Sequence, residues 1–183
     1  MTARPDLDSY GLESETCRLL LAHWLDVRGT EPVPCRTAID PGILKAALPH
    51  MFMLNMIDAE TAIYRLVGTA HRARWGIELT GHVWGEFLEM SQRLDRTRRL
   101  WRAVQQPCGF VARYEVIFAS GACDPVETLL LPLRPRHPAD PPIMIGVGIS
   151  IRQTAWVNPP GSVASRTAER FRFLDLGCSV PSA

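Results

Sequence analysis

Along residues 109–120, GFVARYEVIFAS, the apolar side chains Phe110, Ala112, Tyr114, Val116 and Phe118 share one parity, while Arg113 and Glu115 fall on the other. That alternation predicts a strand with one aromatic, buried face. Residues 128–133 and 143–152 read as two further strands, and clusters of Gly, Asp and Pro separate the three. Consecutive strands joined by turn chemistry predict an antiparallel sheet. The facing of residues 127–133 stays open, because Leu129, Leu131 and Leu133 stand on one parity and Leu130 on the other. In 143–152 the small residues Gly146, Gly148 and Ser150 share a face with Met144. Small side chains opposite aromatic ones leave either a void for a ligand or room for a tryptophan such as Trp75, Trp84 or Trp101.

Upstream, residues 14–28 predict a helix, with Leu20, Trp24 and Val27 at i, i+4 and i+7 and Gly29 as its stop. A Pro-rich link leads to Asp40-Pro41, an N-cap followed by an N1 proline, which predicts a short helix over 41–49. Residues 52–58 and 62–69 read as a strand pair around the turn Asp58-Ala59-Glu60-Thr61. Residues 70–78 predict a short helical turn. Residues 91–106 predict the longest helix, with Leu94, Thr97, Trp101 and Val104 on one face and Pro107 and Gly109 ending it. The chain divides into a leader (1–11), a domain (12–157, including the helix 14–28) and a C-terminal tail (158–183), within which residues 170–174 can add a short strand or docking segment.

Composition narrows the class. The chain has 183 residues, 46% hydrophobic and 21% charged, which fits one globular domain and not a disordered protein. A net charge of +1 gives no bulk electrostatic reason for a nucleic-acid or anionic-membrane partner. No apolar run approaches a membrane span, and acidic residues stand where a signal peptide needs an apolar core, so a cytoplasmic location is expected. Five cysteines, widely spaced and without a CxxC pair, form neither a disulfide framework nor a zinc-ribbon pattern.

The order helix, β-β, short helices, long helix, β-β-β resembles the PAS fold, an α+β architecture. In that fold a five-stranded antiparallel sheet carries helices over one face, here with an N-terminal helix added. More narrowly, residues 19–152 resemble a family of single-domain, PAS-like alphaproteobacterial proteins. The likeness rests on Trp24 with Arg28-Gly29, Arg36 with Ile39-Asp40-Pro41, Leu48-Pro49, Tyr64-Arg65-Leu66-Val67-Gly68-Thr69, Leu79-Thr80-Gly81, and Glu127 through Leu131-Pro132-Leu133. The resemblance implies a sensory or regulatory domain and brings no catalytic residue with it.

A pocket in such a domain would lie over the inner sheet face. Its candidate lining is His71, Trp75, His82, Trp84, Tyr114, Phe118 and Met144. His71 with Arg72 and Arg74 beside an apolar site suits a carboxylate or phosphate; the alternative is solvated arginines and a histidine bonded to backbone. Haem is disfavoured, because helix 91–106 has no axial ligand. Photoreactive flavin is disfavoured too, because no cysteine sits in the Asn- and Arg-flanked setting that such domains resemble. The arginines 93, 96, 98, 99 and 102 fan around their helix instead of forming a stripe, which reads as a solvated face and not a nucleic-acid site. Nucleophile-elbow, zincin, Walker and dinucleotide motifs are missing, and Asp58, Glu115 and Glu127 stand as isolated carboxylates.

The expected protein is a non-enzymatic PAS-like sensor or regulatory interaction domain that takes a small apolar or anionic ligand. Its signal would pass through a homodimer or a separate signalling protein, with the apolar helix 14–28 as the docking element. The alternative is an enzyme or carrier with a cone-shaped α+β fold resembling nuclear transport factor 2. In that fold helices precede the sheet, so a helix at 52–58 would favour it.

Overall fold

A computed structural model describes residues 6–152, 163–166 and 170–182. Three α-helices, α1 (Glu15–Arg28), α2 (Thr69–Trp75) and α3 (Met90–Gln105), accompany seven strands. These are β1 (Met51–Met56), β2 (Ala62–Val67), β3 (Gly109–Phe118), β4 (Cys123–Leu133), β5 (Ile143–Ser150), β6 (Val163–Arg166) and β7 (Arg170–Leu174). All pairings are antiparallel, in the order β2-β1-β5-β4-β3, and β6 and β7 both pair along the outer edge of β3. The expected five-stranded α+β sheet is thus present, with α2 and α3 inserted between the second and third strands, and the C-terminal region extends it by two strands.

Turn chemistry fixes the first hairpin. Asp58 Oδ1 accepts from the Glu60 amide at 2.8 Å, and the amides of Ile57 and Asp58 both donate to the Thr61 carbonyl. The strand β1 covers Met51–Met56 and residues 57 and 58 enter the turn, which removes the helix that a cone-shaped fold would need there. The predicted helix over 41–49 does not form. Residues 41–47 are turns leading to a 3-10 turn at Leu48–His50. Asp40 Oδ1 is committed to the amide of Gly42 at 2.7 Å in a local turn.

The two sheet faces carry separate cores. On the outer face α1 sets Leu20, Leu21 and Trp24 against Leu129, Leu131, Leu133, Ile145 and Val147. The Trp24 indole N–H donates to the Pro132 carbonyl at 2.8 Å. On the inner face Phe52, Leu54, Met56, Phe110, Leu130 and Met144 meet Leu100 and Ala103 of α3. This resolves β4, whose odd positions face α1 while Leu130 and Thr128 face the helical cover. Leu20, Leu21 and Trp24 of α1, read as surplus for docking, are buried against the chain's own sheet at about 1.5–3 kcal/mol per large side chain.

The described part of the leader is tied down as well. A 3-10 turn at Leu7–Tyr10 packs Leu7 and Tyr10 on the outer core, and Arg172 donates to the Tyr10 carbonyl. Residues 1–5 of the leader and 153–162, 167–169 and 183 toward the C-terminus lie outside the described residues. The strand expected at 170–174 is β7, and it carries Leu174 into the outer core.

Candidate functional site

The inner face begins with a pair imposed by register: Phe52 of β1 lies opposite Gly146 of β5. A Cβ at Gly146 would stand 2.7 Å from Phe52 Cζ, so the glycine makes room for that ring. Trp84 stacks on Phe52 with centroids 5.8 Å apart, Tyr64 meets Phe52 edge-on at 6.0 Å, and His71 meets it edge-on at 5.3 Å. The space that small β5 residues open is therefore filled by Phe52 and His71, not by Trp75 or Trp101.

What remains is a cavity of about 10 Å³ bounded by Trp84, Arg96, Phe110, Tyr114, Thr128 and Leu130, room for about one water. Its lining is polar at one end. The Tyr114 hydroxyl lies 3.2 Å from Thr128 Oγ1. Arg96 is 6% exposed. The Trp84 indole N–H is buried and has no hydrogen-bond partner among the described residues. The sequence pattern puts Arg96 on a solvated face and Leu94, Thr97, Trp101 and Val104 on the apolar one. Thr97 is buried and Trp101 and Val104 pack against the inner core as expected, and Arg96, Leu100 and Ala103 are buried beside them.

A second charged group lies beside this box. Arg74 is 3% exposed, on the same short helix as His71. His71 Nε2 bonds to the His50 carbonyl at 2.8 Å. Burial first, and then the nearby Arg74 charge, push the His71 imidazole down to about 3, so it stays neutral. Asp124 of β4 accepts from the Ser150 hydroxyl, and burial pushes its carboxyl up from the usual range. Arg74 thus sits among His71, His50 and Asp124, the groups with which it interacts electrostatically.

The seven residues expected around a pocket are distributed unevenly. Trp84 and Tyr114 line the cavity, Met144 lies in the core beneath it, and His71 packs on Phe52. Phe118 belongs to a small cluster with Val116 and Val126 at the far end of β3. Trp75 stacks on exposed Phe87, and exposed His82 bonds Glu86, so these two form a rim outside the box. Missed in the sequence were Phe52, Arg96 and Thr128. A signal existed only for Phe52, as the aromatic partner that a strand glycine accommodates, and it needed the register to be read.

On the outer face the carboxylate of Glu127 is fully buried and accepts from the amides of Glu13 and Ser14 and from Arg113 Nε at 3.0 Å. It anchors the start of α1 to the sheet and stands with Arg113 and Glu13 as an ion cluster, not as an isolated carboxylate.

A PAS domain family model matches residues 12–148, and the chain belongs to that family. No curated protein matches it. PAS domains are typically sensory and regulatory rather than enzymatic, and no described helix is long and apolar enough to cross a membrane.

Proposed function

We propose that this chain is a cytoplasmic regulatory PAS domain that senses a small anionic ligand under its helical cover and signals through a second copy or a separate partner protein. The observation carrying this reading is the buried Trp84 indole N–H, in a cavity shared with the Arg96 guanidinium and the Tyr114 and Thr128 hydroxyls. A buried indole donor without a partner calls for an acceptor, and a carboxylate or phosphate would accept from it beside the Arg96 charge. The cavity holds no more than about one water, so a larger guest has to displace the cover made by α2, α3 and the segment bearing Trp84. Binding and movement of that layer are then one equilibrium, which is what a sensor needs.

The reading is of binding without catalysis. His71 is buried and neutral, and burial drives the Cys17 thiol up and the Cys108 thiol up to about 12, so neither offers a thiolate. Native mass spectrometry of protein from its host, beside the denatured sample, tests the proposal. A retained anionic molecule that Trp84→Phe releases supports it. Clean apoprotein in complex with another protein would overturn the ligand and leave a filled-core interaction module.

A further inference from the structure

Beyond the inner cavity, a cleft of about 540 Å³ opens at the edge of the sheet where α3 faces β7. That volume falls within the roughly 300–1,000 Å³ of small-molecule sites. Asp95, Arg98, Arg99 and Arg102 line it from the helix, Phe171, Arg172 and Phe173 from the strand, and Pro181 from the C-terminal segment. Pairing of β7 with β3 sets Phe171 beside Ala112 and Phe173 beside Phe110, so both rings turn toward α3. Arg172, between them, points to the other face and bonds the Tyr10 carbonyl.

The rings and cations form a column. Phe110 and Phe171 are stacked with centroids 5.6 Å apart and planes 15° apart. The Arg99 guanidinium carbon lies over the Phe171 ring, 3.7 Å from its centroid. Arg102 stands 5.9 Å from the Phe173 centroid. Phe171 remains 37% exposed.

We infer that this cleft is a binding site for a planar aromatic anion, of the class of a nucleoside phosphate. A flat guanidinium resting on a phenyl ring offers a π-stacking surface and bidentate donors to a phosphate, and base stacking on such platforms tolerates many bases. Arg98 pairs with Glu60 and Arg99 with Asp95 at the surface, and Arg102 donates to the Ser182 carbonyl. The Arg98–Glu60 pair is exposed on both sides and contributes little, so a phosphate displaces it at small cost.

Calorimetric titration of the full chain with AMP, adenosine and inorganic phosphate tests the assignment. AMP binds about tenfold or more tighter than either fragment alone, because stacking and charge are both used. Phe171→Leu and Arg99→Lys each weaken AMP by about tenfold, the second although it keeps the charge. Unchanged thermal unfolding of both variants shows that the fold is intact. AMP binding no tighter than phosphate, no binding at all, or equal binding by the folded variants would overturn the site. AMP affinity lost in Trp84→Phe but kept in Phe171→Leu would place the ligand in the inner cavity instead and overturn the cleft.

Discussion

Glu127→Ala probes how the first helix is fastened to the sheet. The wild-type carboxylate is 0% exposed and holds the Glu13 amide at 3.1 and 3.2 Å, the Ser14 amide at 2.9 Å, and the Arg113 guanidinium at 2.9 and 3.0 Å. Removing one member of a buried ion pair costs about 3–5 kcal/mol when the other charge is stranded. Here Arg113 is 37% exposed and keeps Glu13 at 2.8 Å and the Gly11 carbonyl at 2.7 Å, so the lower end applies. The expected loss is about 3 kcal/mol, a fall in Tm of roughly 6–12 °C for a chain of this size. Urea unfolding measures the loss, and hydrogen exchange locates it: the Glu13 and Ser14 amides lose protection before the core strands. Arg113→Ala leaves both amides bonded and costs less. A change below about 0.5 kcal/mol in Glu127→Ala, with exchange at Glu13 and Ser14 unaltered, would refute the reasoning.

His71 carries a pH signature. Its folded pKa lies below its unfolded value of 6.5, so its contribution to stability is complete above pH 6.5 and is lost as pH falls toward about 3. The slope is about 1.4 kcal/mol per pH unit; denaturant unfolding at pH 7.5 and 5.5 shows it, and His71→Gln flattens it, leaving a smaller dependence from His50. Gly146→Ala forces a Cβ to 2.7 Å from Phe52 Cζ and 2.9 Å from the Leu129 carbonyl, and since backbone cannot yield, it destabilises by roughly 1–3 kcal/mol in thermal unfolding. A stability equal to wild type would mean that Phe52 does not sit on that glycine. Thiol labelling reaches Cys35, Cys123 and Cys178 in the native protein, whereas Cys17 and Cys108 react only after unfolding. Five fast native thiols would contradict the burial of those two.

How much was legible follows the range of the interactions involved. The strand pair at 52–69 was readable because its turn chemistry sits within four residues, and the aromatic face of β3 because alternation is local. The long helix was placed to within a residue at each end and Thr97, Trp101 and Val104 turn inward as read, but the burial of Arg96 was not legible. Arg96 is charged, and its burial rests on surroundings that elements distant in the sequence bring to α3. The arginines around α3 looked evenly spread until β7 brought Phe171 and Phe173, some 70 residues later, against two of them.

The sequence alone determined the order of α1, the first strand pair, α2, α3 and the three following strands, their antiparallel sheet and the apolar face of β3, because each rests on periodicity and turn preferences acting over a few residues. Tertiary structure decided the rest. It set β4 with Leu130 inward, closed the void at Gly146 with Phe52, absorbed the apolar surplus of α1 into its own sheet, and gathered Trp84, Arg96, Tyr114 and Thr128 around one small cavity. Those outcomes depend on register and on contacts between distant segments, where close packing in three dimensions overrides what each segment prefers by itself.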